Sequence, residues 1–235
     1  MDKDYREKML EAIKARHSVR RYKPGVIEED KVMLLQEKIK ELNEAGNLHI
    51  QLVLNEPKGF SGFFAYGQFS GVTNYIIMAG EKNDSFDERV GYFGEQLVLY
   101  AQSLGLNTCW AGLSYRKVKG TYELEEGEKI SCYIALGYGE TQGVSHKIKS
   151  PGDVSNVSAQ TPDWFLAGVE AALLAPTAVN QQKFHFEYLP PLTAEDRARV
   201  IATPGFSIVG YTKVDLGIAK YHFEVGAGPD NFTME

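Results

Sequence analysis

The chain has 235 residues, which is enough for one large domain or two small ones around a sizeable core. Its apolar content of 43%, charged content of 24% and net charge of −6 describe an ordinary globular protein and argue against nucleic acid, which binds a basic face. No apolar run approaches the ~20 residues of a membrane helix, and the charged start MDKDYREKML lacks the apolar core of a signal peptide. With two cysteines, Cys109 and Cys132, we expect a cytoplasmic protein without a membrane partner.

Apolar spacing predicts alternating helices and strands in the first part of the chain. Helices are predicted over 3–15 and in GVIEEDKVMLLQEKIKELNEAGN, where acidic residues occupy the first turn, as the helix dipole favours. LHIQLVL and TNYIIMAG are predicted strands, separated by a loop rich in glycine and aromatic residues, Gly59–Gly71. A long helix over 86–104 is followed by a short strand or turn at NTCWAG and by a strand over Lys129–Gly139.

The second part of the chain begins with an irregular polar stretch over 140–161. It continues with a predicted helix (DWFLAGVEAALLA), a strand (FHFEYL), a helix (TAEDRARVIA) and a last helix (VDLGIAKYHFEVGAG). Strands and helices therefore mix without strict βαβ alternation. This order predicts an α+β fold with a central, mostly antiparallel or mixed sheet.

A cluster of basic residues follows the first helix, in ARHSVRRYKPG. Arg16, His17, Arg20, Arg21 and Lys23 lie close together in a chain that is acidic overall. Cations held this close repel one another unless an anion compensates them, and arginine suits the forked binding of phosphate. The commoner explanation of such a run is a solvated helix end, so the pattern alone leaves both interpretations open.

Two later segments could also hold a polar, phosphorylated ligand. In APTAVNQQKFHF, a helix ends at a turn that presents Thr177, Asn180 and Gln182, donors and acceptors suited to the edge of a heterocycle. In HKIKS, Lys147 and Lys149 would point to the same side of an extended segment. A loop of turn-forming residues and a loop of exposed lysines are the plainer alternatives.

Several familiar sites are excluded or not predicted. GYGETQG has the wrong spacing for a dinucleotide fingerprint, and the chain contains neither a P-loop nor a G-x-S-x-G elbow. The cysteines have no partners at metal-ligand spacing, so no metal site is predicted. His49, His185 and His222 are expected at strand or helix surfaces in structural roles.

Together, these motifs resemble the FMN-dependent nitroreductase family. That family has an Arg-(Arg/His)-Ser-x-(Arg/Lys) motif after its first helix, here RHSVR at 16–20, and a Pro-Ser-Ser-x-Asn-x-Gln turn, here PTAVNQQ at 176–182. Family members are homodimers in which one subunit gives the basic motif and the other gives the turn. In this chain the turn comes late instead of after the second helix, and RHSVRRYKPGVI is echoed weakly by SHKIKSPGDV.

The resemblance and this change of order imply a nitroreductase-like fold made of two degenerate repeats, a tandem pseudo-dimer within one chain. The first half is expected over 1–143 and a shortened second half over 144–235, packed as one unit. One cofactor site would survive, and the chain is expected to be a monomer because it supplies the family interface internally.

The resemblance also implies the phosphate end of an FMN site. Arg16 and Ser18 are expected at the phosphate or the ribityl chain, with Lys147 and Lys149 at the phosphate. His17 is expected to contact the ring or ribityl chain through its backbone.

For the flavin ring, the resemblance places Arg20 at the N1/O2 edge, where a cation stabilises the reduced anion. The ring would be lined from the other half by Pro176, Thr177 and Asn180, and from behind or at N5 by Trp110, Ala111 and Gly112. No catalytic acid or base is expected, since the flavin carries the chemistry.

The implied function is an FMN-dependent oxidoreductase that uses NADH or NADPH to reduce nitroaromatics, quinones or similar acceptors by two-step hydride transfer. The alternative is a flavin-binding protein of the same fold without turnover. The loop 57–71, with Phe60, Phe63, Phe64, Tyr66 and Phe69, is either an aromatic lid or a packed surface loop.

Overall fold

A computed structural model describes residues 1–62, 68–193 and 195–235. The described part contains five α-helices: α1 (Lys3–Ala15), α2 (Glu29–Gly46), α3 (Phe86–Ser103), α4 (Asp163–Leu173) and α5 (Thr212–Ala227). Its strands are β1 (Gln51–Val53), β2 (Asn74–Glu81), β3 (Asn107–Ala111), β4 (Glu128–Gly137), β5 (Phe184–Leu189), β6 (Ala198–Pro204) and β7 (Phe232–Met234). No helix in these ranges is long and apolar enough to cross a membrane.

The strands form two sheets. The first is antiparallel throughout, in the order β1-β2-β4-β3, and the second is mixed, with β6 antiparallel to β5 and parallel to β7. Helix α3 packs on the first sheet, α5 packs on the second, and the two helices pack on each other. The predicted α+β architecture with antiparallel and mixed sheets is therefore confirmed.

The close packing of α3 and α5 depends on a glycine in each helix. A Cβ at Gly91 of α3 would overlap the backbone carbonyl of Val214, and a Cβ at Gly217 of α5 would overlap that of Glu88. Because the obstacle is backbone in both directions, neither helix could accommodate a side chain by a rotamer change. The two glycines thus fix how closely α5 approaches α3.

One predicted helix is wrong. TAEDRARVIA was predicted to be helical, but Ala198–Pro204 forms strand β6. Along β6 the side chains of Ala198, Val200 and Ala202 are buried while those between them are less buried, a period of two. The β-branched residues and pairing with β5 favour this strand over the helix that the same apolar residues suggested.

The structure describes the two ends of the aromatic loop, 57–62 and 68–71. Phe63, Phe64 and Tyr66 lie outside the described residues. Phe60 is buried, with its ring centroid 4.9 Å from that of Phe69 and 5.7 Å from that of Tyr75. The described ends of the loop therefore pack into the core, and the lid remains a prediction.

Candidate functional site

A cavity of about 240 Å³ opens where the segment after α1, the end of β3, the turn after α4 and the start of α5 meet. Its walls are mostly apolar, with a few polar groups that converge from different segments. The lining residues are Ser18, Arg20, Trp110, Ala111, Gly112, Leu113, Cys132, Pro176, Thr177, Ala178, Val179, Val209, Tyr211, Val214, Asp215 and Ile218.

The first wall is an extended segment that adds to the edge of the first sheet. Ser18 forms a parallel bridge with Thr108 of β3, and Val19 N–H donates to the Thr108 carbonyl over 3.0 Å. Side chains alternate along an extended chain, so Val19 is buried while Ser18 and Arg20 line the cavity. Arg20 thereby carries an exposed guanidinium on this wall.

The floor is the end of β3 with Gly112. The Tyr211 hydroxyl donates to the Gly112 carbonyl over 2.9 Å, and a Cβ at Gly112 would lie 2.6 Å from the tyrosine ring. Glycine is therefore required for this ring to lie against the backbone. The contact between Tyr211 and Gly112 therefore holds the loop that leads into α5 against the floor of the cavity.

The opposite wall is the turn over 176–182, which connects α4 to β5. Val179, Asn180 and Gln182 have φ values of 45°, 56° and 46°, in the left-handed region that a β-branched residue such as valine rarely adopts. Gln182 N–H donates to Thr177 Oγ1 over 3.0 Å, which closes the turn. Pro176 and Thr177 face the cavity.

Asp215, on the first turn of α5, holds this wall in place. It is 3% exposed, and its two carboxylate oxygens accept from Ala178 N–H over 2.9 Å and from Gln181 Nε2 over 2.7 Å. Burial raises the pKa of Asp215 to about 6, although both hydrogen bonds act to lower it. An acidic side chain thus lines the cavity and fixes a backbone turn that is strained.

The HKIKS segment is also bound to the turn. Asn180 Nδ2 and Gln182 Nε2 donate to the Lys147 carbonyl over 2.7 and 2.8 Å, and Lys149 Nζ donates to the carbonyls of Gln181 and Gln182 over 3.1 and 2.7 Å. The structure therefore brings Lys147, Lys149 and Asn180 together. It does not place them among the residues that line the cavity.

Arg16 lies behind the cavity in a buried polar network. Its side chain is 3% exposed; Nη2 donates to the Leu174 carbonyl over 3.3 Å, and Nε lies 3.8 Å from Oε1 of the fully buried Glu95. Glu95 also lies 2.8 Å from His222 Nε2 and accepts from Trp110 Nε1 over 2.9 Å. The network fixes the ring of Trp110, whose other surface borders the cavity.

The expectation that His222 lies at a helix surface is wrong, because the side chain is fully buried. Its Nδ1 lies 3.0 Å from the Ala171 carbonyl, so both ring nitrogens have partners. The residues Glu95 and His222 were missed by sequence analysis. Glu95 lies one helical turn after the buried Gly91, on a face of α3 whose other residues are also buried. An acidic residue on such a face was the signal in the sequence that could have identified it.

Two basic residues of the predicted phosphate end, His17 and Lys149, are partly buried. The pKa of His17 is lowered, first by partial burial and then by the nearby charges of Arg16 and His146. The pKa of Lys149 is also lowered, by burial and then by the charge of Lys183. Partly buried cationic donors of this kind suit a phosphate group.

The predicted site residues fall into two groups. Seven line the cavity: Ser18, Arg20, Trp110, Ala111, Gly112, Pro176 and Thr177. Five do not line it, and their contacts with a cofactor stay predictions: Arg16, His17, Lys147, Lys149 and Asn180. Val214, Asp215 and Ile218 of α5 also line the cavity and were not predicted. The signal in the sequence was Asp215, an acidic residue within the apolar run of this helix.

Comparison with known proteins identifies relatives of the chain. The model of the family described as "Putative TM nitroreductase" matches residues 8–227. A "putative nitroreductase" from Thermotoga maritima has a similar structure, with a TM-score of 0.62 and 22% identity over 94% of this chain and 84% of that one. NfrA2 of B. megaterium gives a TM-score of 0.52 and 14% identity over 70% and 81%. No curated protein matches the sequence.

Proposed function

The chain belongs to this nitroreductase family, and from that premise we propose that it is an FMN-dependent oxidoreductase that uses NADH or NADPH. Its acceptors would be nitroaromatics, quinones or similar compounds. The observation that carries the proposal is that two motifs far apart in sequence meet at one cavity. Ser18 and Arg20 of the basic motif line one wall, and Pro176 and Thr177 of the later turn line another.

The shape and chemistry of the cavity support a flavin ring. Its walls combine apolar surface with a few polar groups, which is the usual composition of a cofactor site. The ring would lie between the extended segment of Ser18 and Arg20 and the turn at Thr177, above the end of β3. Lys147 and Lys149, whose segment is hydrogen-bonded to the turn, would supply positive charge for its phosphate.

FMN, when bound, would supply the hydride chemistry, and the protein would position it and adjust its charge balance. The Arg20 guanidinium lines the cavity and would favour negative charge on a ligand there. Trp110 is held by Glu95 and forms a rigid wall. Asp215 and Tyr211 hold the turn and the floor, so the cavity is shaped before a ligand arrives.

The visible spectrum of the purified protein tests this function. The protein is expected to be yellow, or to become yellow with added FMN, and the flavin absorbance should bleach when NADH or NADPH is added without oxygen. Subsequent addition of a quinone should restore the oxidised spectrum. A yellow protein that neither nucleotide bleaches would favour the binding protein without turnover, and a protein that takes up no FMN would contradict both functions.

A further inference from the structure

Three ionisable side chains lie buried directly behind the cavity, and we call them the buried triad. Arg16, Glu95 and His222 are each exposed by 3% or less, and none of them lines the cavity. Trp110 connects the triad to the cavity, because its side chain lines the cavity while its Nε1 donates to Glu95 Oε2 over 2.9 Å. On α5, His222 follows Ile218 by one turn, and Ile218 also lines the cavity. The triad is therefore the layer of side chains next to the cavity.

The hydrogen-bond partners of His222 determine how many protons its pairing with Glu95 requires. Nδ1 lies 3.0 Å from the carbonyl oxygen of Ala171, which can only accept, so Nδ1 carries a hydrogen. Nε2 lies 2.8 Å from Glu95 Oε1, and this contact also needs one hydrogen. A neutral ring beside an ionised carboxylate would set a lone pair against a negative oxygen in a buried place. The pair therefore holds one further proton, on the imidazole or on the carboxyl group.

The guanidinium of Arg16 favours placing this proton on His222. Its Nε lies 3.8 Å from the same Oε1 of Glu95. Burial lowers the pKa of Arg16 and the charge of Glu95 opposes that shift, and an arginine starts so far above neutral pH that it stays protonated. A cation beside a carboxyl group favours its ionised form, and so does the hydrogen bond from Trp110. The triad then consists of two cations around one carboxylate, with a net charge of one positive unit.

The end of α4 stabilises both cations of the triad. The C-terminal end of a helix carries partial negative charge, which favours protonated side chains there. Arg16 Nη2 donates to the carbonyl of Leu174 over 3.3 Å, and His222 binds that of Ala171. Within the ranges that the structure describes, Glu95 is the one carboxylate paired with either cation. The excess positive charge is therefore not neutralised within the triad.

This excess charge is important because the charged groups that line the cavity oppose each other. Arg20 is a cation, and Asp215, whose pKa burial raises to about 6, is mostly an anion above that pH. A ligand in the cavity therefore meets one positive and one negative side chain. The buried triad shifts this balance toward positive charge, and its field is screened less by salt than that of an exposed cation.

We propose that the buried triad is a fixed positive charge that favours the reduced, anionic form of a flavin in the cavity; this inference rests on the proposed function. The triad acts through space from behind Trp110 and exchanges no atom or electron with the ligand. Removing one unit charge about 10 Å away, at an effective dielectric constant of about 20, changes such an equilibrium about tenfold. His222 and Glu95 are thus residues that adjust the flavin without contacting it.

Two substitutions separate the charge of the triad from its hydrogen bonds. His222→Gln keeps a donor for Glu95 but removes the imidazolium, so the net charge falls to zero. Glu95→Gln can accept from Trp110 and donate to His222, which then becomes neutral, so Arg16 keeps the net charge at one positive unit. His222→Gln should lower the ratio of the dissociation constants of oxidised and reduced FMN about tenfold, which lowers the midpoint potential of the two-electron couple by about 30 mV. Glu95→Gln should leave this potential near that of the wild type.

Nitrogen NMR of the FMN-free protein tests the triad without any cofactor. At about pH 7.5 an unperturbed histidine is mostly neutral, whereas the His222 ring should carry hydrogens on both nitrogens. This signal should disappear in His222→Gln. The matched control is His185→Gln, which changes an exposed histidine of β5 and should affect neither this signal nor the midpoint potential. Thermal unfolding should show that the variants are folded.

Three outcomes would overturn the inference: a wild-type His222 ring with a single hydrogen, an unchanged midpoint potential in His222→Gln, or equal changes of potential in His222→Gln and Glu95→Gln. The last would mean that the triad only holds Trp110 in place. If a variant does not fold, the wild-type spectrum still decides whether the triad exists. If the protein takes up no FMN, the proposed function fails and the effect of the triad on a flavin fails with it, whereas a single hydrogen on His222 would overturn the inference alone.

Discussion

Two neighbouring arginines, Arg20 and Arg21, have different surroundings. Arg20 lines the cavity, whereas Arg21 is exposed and its backbone bridges Ser70. Arg20→Ala should weaken FMN binding about tenfold or more, since a hydrogen bond to a charged group contributes about 1.5–3 kcal/mol. Quenching of FMN fluorescence in a titration measures the dissociation constant.

Arg21→Ala is the control for this substitution, because it removes the same charge one residue away. It should change FMN affinity far less than Arg20→Ala does. Equal losses in the two variants would mean that the basic cluster acts only through its overall charge. That result would support the solvated helix end which the sequence pattern also allowed.

Asp215 gives the folded protein a specific dependence on pH. Its pKa rises from 3.8 to about 6 on folding, so the folded chain holds this proton where the unfolded chain has lost it. The free energy of unfolding should therefore fall as the pH rises from about 4 to about 7, by up to about 3 kcal/mol from this group. Urea denaturation of the FMN-free protein across this pH range measures the effect.

Asp215→Asn should remove this decrease in the free energy of unfolding. Plots of that free energy against pH should therefore diverge between the wild type and the variant. Asp163→Asn is the matched control, since Asp163 is in the first turn of α4 but is exposed. Its curve should run parallel to that of the wild type. Parallel curves for Asp215→Asn as well would show that this carboxyl titrates alike in the folded and unfolded chain.

At the residue scale, sequence motifs predicted the cavity better than the network behind it. Seven of the residues that the family resemblance implied line the cavity, in three continuous segments that each present neighbouring residues together. The partners of Arg16 and Trp110 could not be predicted in the same way. Glu95 reaches Trp110 through the packing of α3 on β3, and His222 reaches Glu95 through the packing of α5 on α3.

At the element scale, α5 both lines the cavity and packs closely on α3. Val214, Asp215 and Ile218 of α5 line it, and Gly217 lies among them against the backbone of Glu88. Gly217→Ala should lower the free energy of unfolding by about 1–3 kcal/mol, because the added methyl must displace one helix. Chemical denaturation measures the loss.

Gly152→Ala is the control for the crossing, since a Cβ there would meet nothing within 4 Å and the glycine has no left-handed φ. This substitution should leave stability within about 0.5 kcal/mol of the wild type. If Gly217→Ala were equally harmless, the two helices would have room that the structure does not show.

The long helices and strand β5 were predicted correctly, whereas β6 and β7 of the second sheet were not. The helices over 3–15 and 86–104 have apolar residues at helical spacing throughout, and the structure has Lys3–Ala15 and Phe86–Ser103. The wrong helix at TAEDRARVIA is short and its apolar residues fit either period. Its strand character depends on pairing with β5 and β7, which are tertiary contacts.

At the scale of the whole molecule, one chain supplies every described wall of the cavity. Arg20 and Trp110 come from the first predicted half, and Thr177 and Asp215 come from the second. We therefore propose that the protein works as a monomer. Sedimentation equilibrium should give 26.2 kDa with one FMN per chain, and a mass of twice that value would contradict it.

The α+β class and the family followed from the order of elements and from two motifs, and both are confirmed. The tandem pseudo-dimer and its halves at 1–143 and 144–235 stay predictions. A sequence echo as weak as that between RHSVRRYKPGVI and SHKIKSPGDV does not determine whether two segments share an origin. It predicts only that they have similar local structure.

The central claim is that the basic motif and the late turn hold opposite sides of one flavin. A crystal structure of the protein with FMN tests it most directly. The account predicts the flavin ring in the described cavity, between Arg20 and Thr177 and above Trp110. Flavin bound elsewhere, or a cavity that stays empty in crystals saturated with FMN, would contradict it.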